Sequence, residues 1–382
     1  MSLGIAGLGW VTPLGATIEE VWEKLCSGAA PEPTAISESL GEKTFRAYQV
    51  PPAVVAEVAR QPRLRRSSAI SRFAVLAGLN ALRDANIELD EASAARTALI
   101  FAISNGGVIY TRRFYQKIVE SGAAAASPLL FPETVFNAPA SHLAAILGIT
   151  GATYTLVGDG AVGILALKMA EELMTNSELD RCLVVGAEEA DWLLCDAYQR
   201  WRLLRAEPPI EPFARPPRGM LLSEGAGAVV VGREGKLSLQ CIHPGGNFAH
   251  RRELAGHLDA IARDVQAGNS TDVLIASADG TFIDQAEEAA AKNHFPEAAV
   301  YTPKPALGES VGASALWQLI CAAQALRTQQ LPPLLHVPAD CGLTSARVPS
   351  EKDWHRAVVT TCGLNQQVAA LALQLKSIST DR

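Results

Sequence analysis

Apolar residues along this chain fall into two kinds of run. Short ones stop at Gly, Asp or Asn, and longer amphipathic stretches lie between them. That alternation predicts an α/β protein with buried strands. The runs place strands at Thr97–Ser104, Tyr154–Val157, Cys182–Gly186, Gly227–Gly232, Val273–Ser277 and Ala357–Thr361. The helical period places helices at Thr17–Ser27, Ile70–Ala85, Ala138–Leu147, Ala161–Met174, Glu253–Ala267, Ile283–Lys292 and Ser310–Arg327. Ala206–Arg218 carries five prolines, which excludes a regular helix or a central strand and predicts an ordered surface loop. A division near Gly232 gives each part its own series of strands and helices. The expected organisation is two similar halves, 1–232 and 233–382, with helices layered between sheets.

One junction carries chemistry. The strand Tyr154–Val157 runs through Gly158-Asp159-Gly160 into a helix, so the turn sits over the positive end of that helix, where an anion or oxyanion is stabilised. Enzymes put nucleophiles there, but Gly160 offers only a hydrogen. Asp159 is read first as a helix N-cap, because Asp is among the preferred caps. Gly160 is read first as a point of close backbone approach.

With 382 residues and 48% hydrophobic content, a large core is available. The net charge of -7 provides no broad positive field, so nucleic acid is not an expected partner. No apolar run is long enough to span a bilayer, and the start lacks the basic region of a secretory signal, so the cytoplasm is the expected location. The seven cysteines are scattered, without a CxxC pair or clustered histidines. Neither a metal site, nor a disulfide framework, nor a cofactor is expected.

Seven stretches together carry a family resemblance. GATYTLVGDGAVGILAL (Gly151–Leu167) resembles the nucleophile segment of β-ketoacyl synthases, in which a cysteine opens the helix after a strand, and ungapped alignment puts Gly160 on that cysteine. In the same order as in the family run GIAGLGWVTPLG (Gly4–Gly15), FNAPASHLAAILGITG (Phe136–Gly151), VVGAEEAD (Val184–Asp191) and EPFARPPRGMLLSEGAGAVVV (Glu211–Val231). YTPKPALGESVGASA (Tyr301–Ala315) resembles the family's Lys–Gly–His segment, and TTCGLNQQVAALAL (Thr360–Leu373) its gating loop and final strand. The resemblance implies a thiolase-like fold, layered α-β-α-β-α.

It also implies a Cys–His–His mechanism, and all three positions are changed. The cysteine is Gly160. The first histidine falls on Ala276 or Ser277, depending on a one-residue gap. The second, which follows Lys304-Pro305-Ala306-Leu307-Gly308, is Glu309. Without sulfur there is no acyl-enzyme, and without imidazoles nothing neutral donates to the developing enolate; an ionised Glu309 would raise its energy. The gating positions differ too, being Met220 and Cys362-Gly363-Leu364, apolar groups still suited to line an acyl cavity. Cys362 and Cys195 are read as buried small hydrophobes rather than substitute nucleophiles, and His142 and His243 as structural or surface groups.

The expectation is therefore a catalytically silent subunit, like the chain-length factors that pair with an active ketosynthase in polyketide and aryl-polyene systems. The family's interface region falls on Phe136–Thr155. Acyl carrier protein is the further expected partner, with Arg60–Arg66 and Arg251-Arg252 as candidate docking clusters and plain solvated surface as their alternative reading. Two other readings stand beside it. One is a stand-alone enzyme hydrolysing, transferring or decarboxylating acyl thioesters through Asp159, Glu309 or Ser277. The other is a homodimer that binds acyl chains or carrier protein.

Overall fold

The computed structural model describes residues 3–37, 43–343 and 353–376. Its strands are β1 (Leu3–Val11), β2 (Thr34–Ser37), β3 (Thr44–Tyr48), β4 (Thr97–Ile103), β5 (Thr153–Val157), β6 (Arg181–Glu188), β7 (Leu222–Ser223), β8 (Gly225–Gly232), β9 (Leu237–Asn247), β10 (Val273–Ile275), β11 (Ala299–Tyr301), β12 (Arg356–Cys362) and β13 (Gln367–Leu375). Ten of them form one continuous sheet in the order β11-β10-β12-β13-β9-β1-β8-β6-β4-β5, and β2-β3-β7 form a second, smaller one.

Pairing within the large sheet repeats. From the β5 edge, β5, β4 and β6 are parallel, then β8 and β1 turn antiparallel. From the β11 edge, β11, β10 and β12 are parallel, then β13 and β9 turn antiparallel. The two series meet where β1 pairs β9 over Leu3–Ile5 and Leu237–Leu239. Two similar α/β halves follow from that repeat.

Three apolar clusters mark the layers. Helices Ala69–Asp84 and Ala138–Leu147 pack outside the first half. Helices Leu254–Gln266 and Ile283–His294 pack outside the second. Between the halves lie Val162–Leu173 and Val311–Thr328, the latter buried at every position from Val311 to Leu326. A helix apolar all round belongs in such a central layer.

Every strand and helix read from the apolar pattern has a counterpart whose ends differ by at most two residues. Local chemistry sets several of them. Thr17 caps Ile18–Cys26 by accepting from Glu20 N, and Ser68 caps Ala69–Asp84 by accepting from Ser71 N. Glycine-bearing β1 was not anticipated as a strand. A Cβ on Gly7 or Gly9 would stand 2.2 Å from a carbonyl of the helix Ala69–Asp84, so the glycines let that helix lie against the sheet. The segment Ala206–Arg218 is irregular, as its prolines require. It is not wholly a surface loop, because Ile210 and Phe213 are buried anchors.

Candidate functional site

Strand β5 ends at Val157, and Gly158 N still donates to Ile103 O at 3.0 Å, so the turn Gly158-Asp159-Gly160 leaves the sheet in parallel register with β4. The helix begins at Val162 with Ala161 as its N-cap, and no side chain caps it. The expectation that Asp159 is the cap is therefore corrected. Its Oδ2 accepts from Asn365 N at 2.7 Å and Gln367 N at 3.4 Å, and its own N–H donates to Gln367 Oε1 at 3.3 Å. The helix opens too late in sequence for Asp159 to reach its first turn, whereas the β12–β13 loop presents free amides to it. Burial pushes the Asp159 carboxyl above the ordinary carboxylate range, although the amides of Gly160, Asn365 and Gln367 favour its ionised form.

That loop is the Cys362-Gly363-Leu364 segment, and it lies directly on Gly160. A Cβ on Gly160 would meet Gly363 Cα at 3.1 Å and Cys362 O at 3.4 Å; a Cβ on Gly363 would meet Asp159 Oδ2 at 1.8 Å. The loop backbone thus approaches Gly160 closely, and Gly160 is covered rather than open.

Of Ala276 and Ser277, the two residues that the sequence suggests for the first histidine, Ser277 faces this loop. Its Oγ donates to Cys362 O at 3.3 Å and accepts from Cys362 N at 3.0 Å, while its N–H donates to Glu287 Oε1 at 3.2 Å. Glu287 also accepts from Thr360 Oγ1 at 2.8 Å. Ala276 instead packs in the apolar cluster that contains Met220, Cys362, Leu364 and Cys195. Gln318 Nε2 donates to Ala276 O and Thr360 O, both at 2.9 Å. Burial raises the Cys195 thiol to about 12 and the Cys362 thiol well above its usual value, so both behave as buried hydrophobes.

Beyond β11 the chain places Lys304, whose Nζ pairs with Glu309 Oε2 in the interior. The backbone of Glu309 bonds β7 and its neighbour, donating to Leu221 O at 3.0 Å and accepting from Ser223 N at 2.8 Å. Asp279 and Asp284 lie nearby, both pushed upward by burial; Asp284 accepts from the amides of Asp279, Gly280 and Phe213. Asp159, Ser277, Lys304, Glu309, Met220 and Cys362–Leu364 thus converge. Glu287, Asp279, Asp284 and Gln318 join them without having been singled out. The signal for Asp279 was the Asp-Gly-Thr turn after β10; Glu287 and Gln318 sit mid-helix and gave none. His142 and His243 stand apart, on Glu133 at 2.7 Å and Asp264 at 3.3 Å. Among the described residues no group of three or more His, Cys, Asp or Glu is arranged to hold a metal ion, and no helix is long and apolar enough to cross a membrane.

Family models agree with this architecture. The model for the β-ketoacyl synthase N-terminal domain matches residues 2–236, and that for the C-terminal domain matches residues 247–338. The chain belongs to the β-ketoacyl synthase family. Among curated family members, the 3-oxoacyl-[acyl-carrier-protein] synthase 2 of Vibrio cholerae is 24% identical over 59% of this chain and 56% of its own length. The chain thus spans just over half of that relative. The Staphylococcus aureus synthase 2 is 22% identical over 87% of this chain and 89% of its own. Among solved structures, the ishigamide ketosynthase/chain length factor superposes with a TM-score of 0.85 at 21% identity, covering 98% of this chain and 99% of that one. The ketosynthase ApeO in complex with its chain length factor ApeC, from Xenorhabdus doucetiae, gives 0.81 at 19% identity and 98% of each chain. These likenesses bear on the fold.

Proposed function

We propose that this chain is a non-condensing subunit of the chain-length-factor type, which pairs with an active ketosynthase in fatty-acid or polyketide synthesis, aryl-polyene synthesis included. The observation that carries the reading is Gly160. It holds no sulfur at the helix start, and Gly363 lies on it closely enough that even a Cβ at 160 would crowd the loop. The other two family positions are engaged structurally, Ser277 with the Cys362 backbone and Glu309 with Lys304. Those engagements weigh against a stand-alone thioester enzyme using Asp159, Ser277 or Glu309.

Support for a partner comes from β5, which among the described residues has no strand paired on its outer side and exposes Tyr154 (43%) and Val157 (54%), with Phe131, Val135 and Phe136 also exposed nearby in sequence. In this reading the partner ketosynthase, or in its absence a second copy, pairs along β5. Acyl carrier protein docks on exposed arginines such as Arg60, Arg63, Arg65 and Arg66, no cofactor takes part, and the assembly works in the cytoplasm. In this reading the seam between the halves lies at 232/233, between the end of β8 at Gly232 and the start of β9 at Leu237.

The test is loading. The pure chain incubated with acyl- and malonyl-carrier protein should gain no mass and release no product. Covalent acylation of this chain alone, followed by extension, would contradict the reading.

A further inference from the structure

We infer that Asp159 is a latch whose carboxylate, by clasping the backbone of Asn365 and Gln367, holds the loop Gly363–Gln367 shut over Gly160 as a fixed lid. The inference builds on the reading of a non-condensing chain, but it concerns access rather than chemistry. The loop is moulded around the carboxylate: Asp159 Oδ2 lies 2.7 Å from Asn365 N and fills the place a Cβ on Gly363 would need.

The same loop is tied on two other sides. Gln366 O accepts from Phe248 N at 2.9 Å, and Gln366 Nε2 donates to Ala249 O at 3.4 Å. Gln366 adopts φ +84°, a conformation that a non-glycine residue keeps only where its surroundings fix it. At the base of the loop Ser277 Oγ bridges the N–H and C=O of Cys362. Outside it, on the connection that carries Phe248 and Ala249, the Arg251 guanidinium stacks 4.4 Å from the Phe282 ring. A thioester-bearing arm reaching Gly160 past this loop would have to displace Gly363 and part the contacts of Asp159 with Asn365 and Gln367. Restoring a cysteine there would not by itself restore loading.

Cys362 lies buried under the lid, whereas Cys26 and Cys241 are partly exposed, so alkylation of the native protein reads lid opening against internal references. Wild type, Asp159→Asn and Asp159→Ala would be treated with iodoacetamide and labelling located by peptide mass spectrometry. Amide exchange at 363–367 would be followed in parallel with exchange at 356–361 and 368–373. The latch predicts that wild-type Cys362 stays unlabelled while Cys26 and Cys241 react. It predicts that Asp159→Ala raises Cys362 labelling and loop exchange by at least about tenfold with β12 and β13 unchanged, and that Asp159→Asn falls between. Equal protection of Cys362 and the loop in Asp159→Ala would overturn it. So would a rise spread evenly over β12 and β13, which would make Asp159 a general packing residue. Should Asp159→Ala not fold, Asp159→Asn decides by the same local readout, since any loop-confined increase supports the latch and none overturns it. Neither readout involves a partner or acyl transfer, so the latch and the partner reading fail separately.

Discussion

The last strands of the two sheet halves occupy equivalent places, yet they differ. Strand β11 is buried along its length by the chain's own residues, and it feeds the buried Lys304–Glu309 pair. Strand β5 feeds Gly160, which is equally enclosed, but its own outer side is open, with Tyr154 and Val157 facing solvent. One half finishes its edge internally. The other encloses the interior turn at Gly160 and leaves Tyr154 and Val157 exposed on its end strand. Under the proposed function, the exposed β5 edge is the side on which a ketosynthase would pair.

The sealed side is broken most severely at Lys304. Lys304→Ala leaves Glu309 buried beside the unpartnered atoms already present there, and should cost about 3–5 kcal/mol in chemical denaturation. Lys304→Met with Glu309→Leu should recover most of that loss; if Lys304→Ala is neutral, the pair does not hold the closed site together.

On the open side, Tyr154→Asp with Val157→Asp should weaken association with a ketosynthase by about 2–4 kcal/mol in titration of the Kd, because aromatic and apolar anchors carry most interface energy. The isolated chain's thermal midpoint should hardly move, since both side chains are exposed. An unchanged Kd would place the interface elsewhere.

A smaller effect tests how deeply acids are enclosed. Burial raises Glu188 and Glu287 to about 7 and Glu224 to about 8, with Asp279 and Asp284 also pushed up. The folded chain holds these protons at pH values where the unfolded chain, with ordinary carboxylates near about 4, has released them. Stability should therefore decline as pH rises from about 5 to about 8. Carboxyls held low, such as Glu133 on His142, act in the opposite sense, and only below about pH 4. A thermal midpoint that climbs across pH 5 to 8 would mean these acids are solvated or paired in solution.

Much of this was legible in the residues. The layered α/β fold followed from apolar runs, and the expectation of an altered site rests on Gly160, Ala276 or Ser277, and Glu309, with the gating positions Met220 and Cys362-Gly363-Leu364 changed as well. What escaped was long-range. Asp before Gly at a helix start has the local signature of a cap, but the partners of Asp159 lie 206 and 208 residues further along the chain, and nothing local announces them. Strand β1 escaped for a related reason, because its glycines suggest turns until the helix packed on them is seen. Helices Val108–Ser121 and Trp192–Arg200 are absent from the sequence reading; the first carries Tyr110, Phe114 and Ile118 at helical spacing but is only half-buried along that face.

The central claim is that this chain completes an active ketosynthase. Native mass spectrometry of the chain co-expressed with a cysteine-bearing ketosynthase of the same organism tests it most directly. The account predicts a 1:1 heterodimer in which only the ketosynthase carries acyl groups. A stable homodimer of this chain that ignores the ketosynthase at micromolar concentration would contradict it.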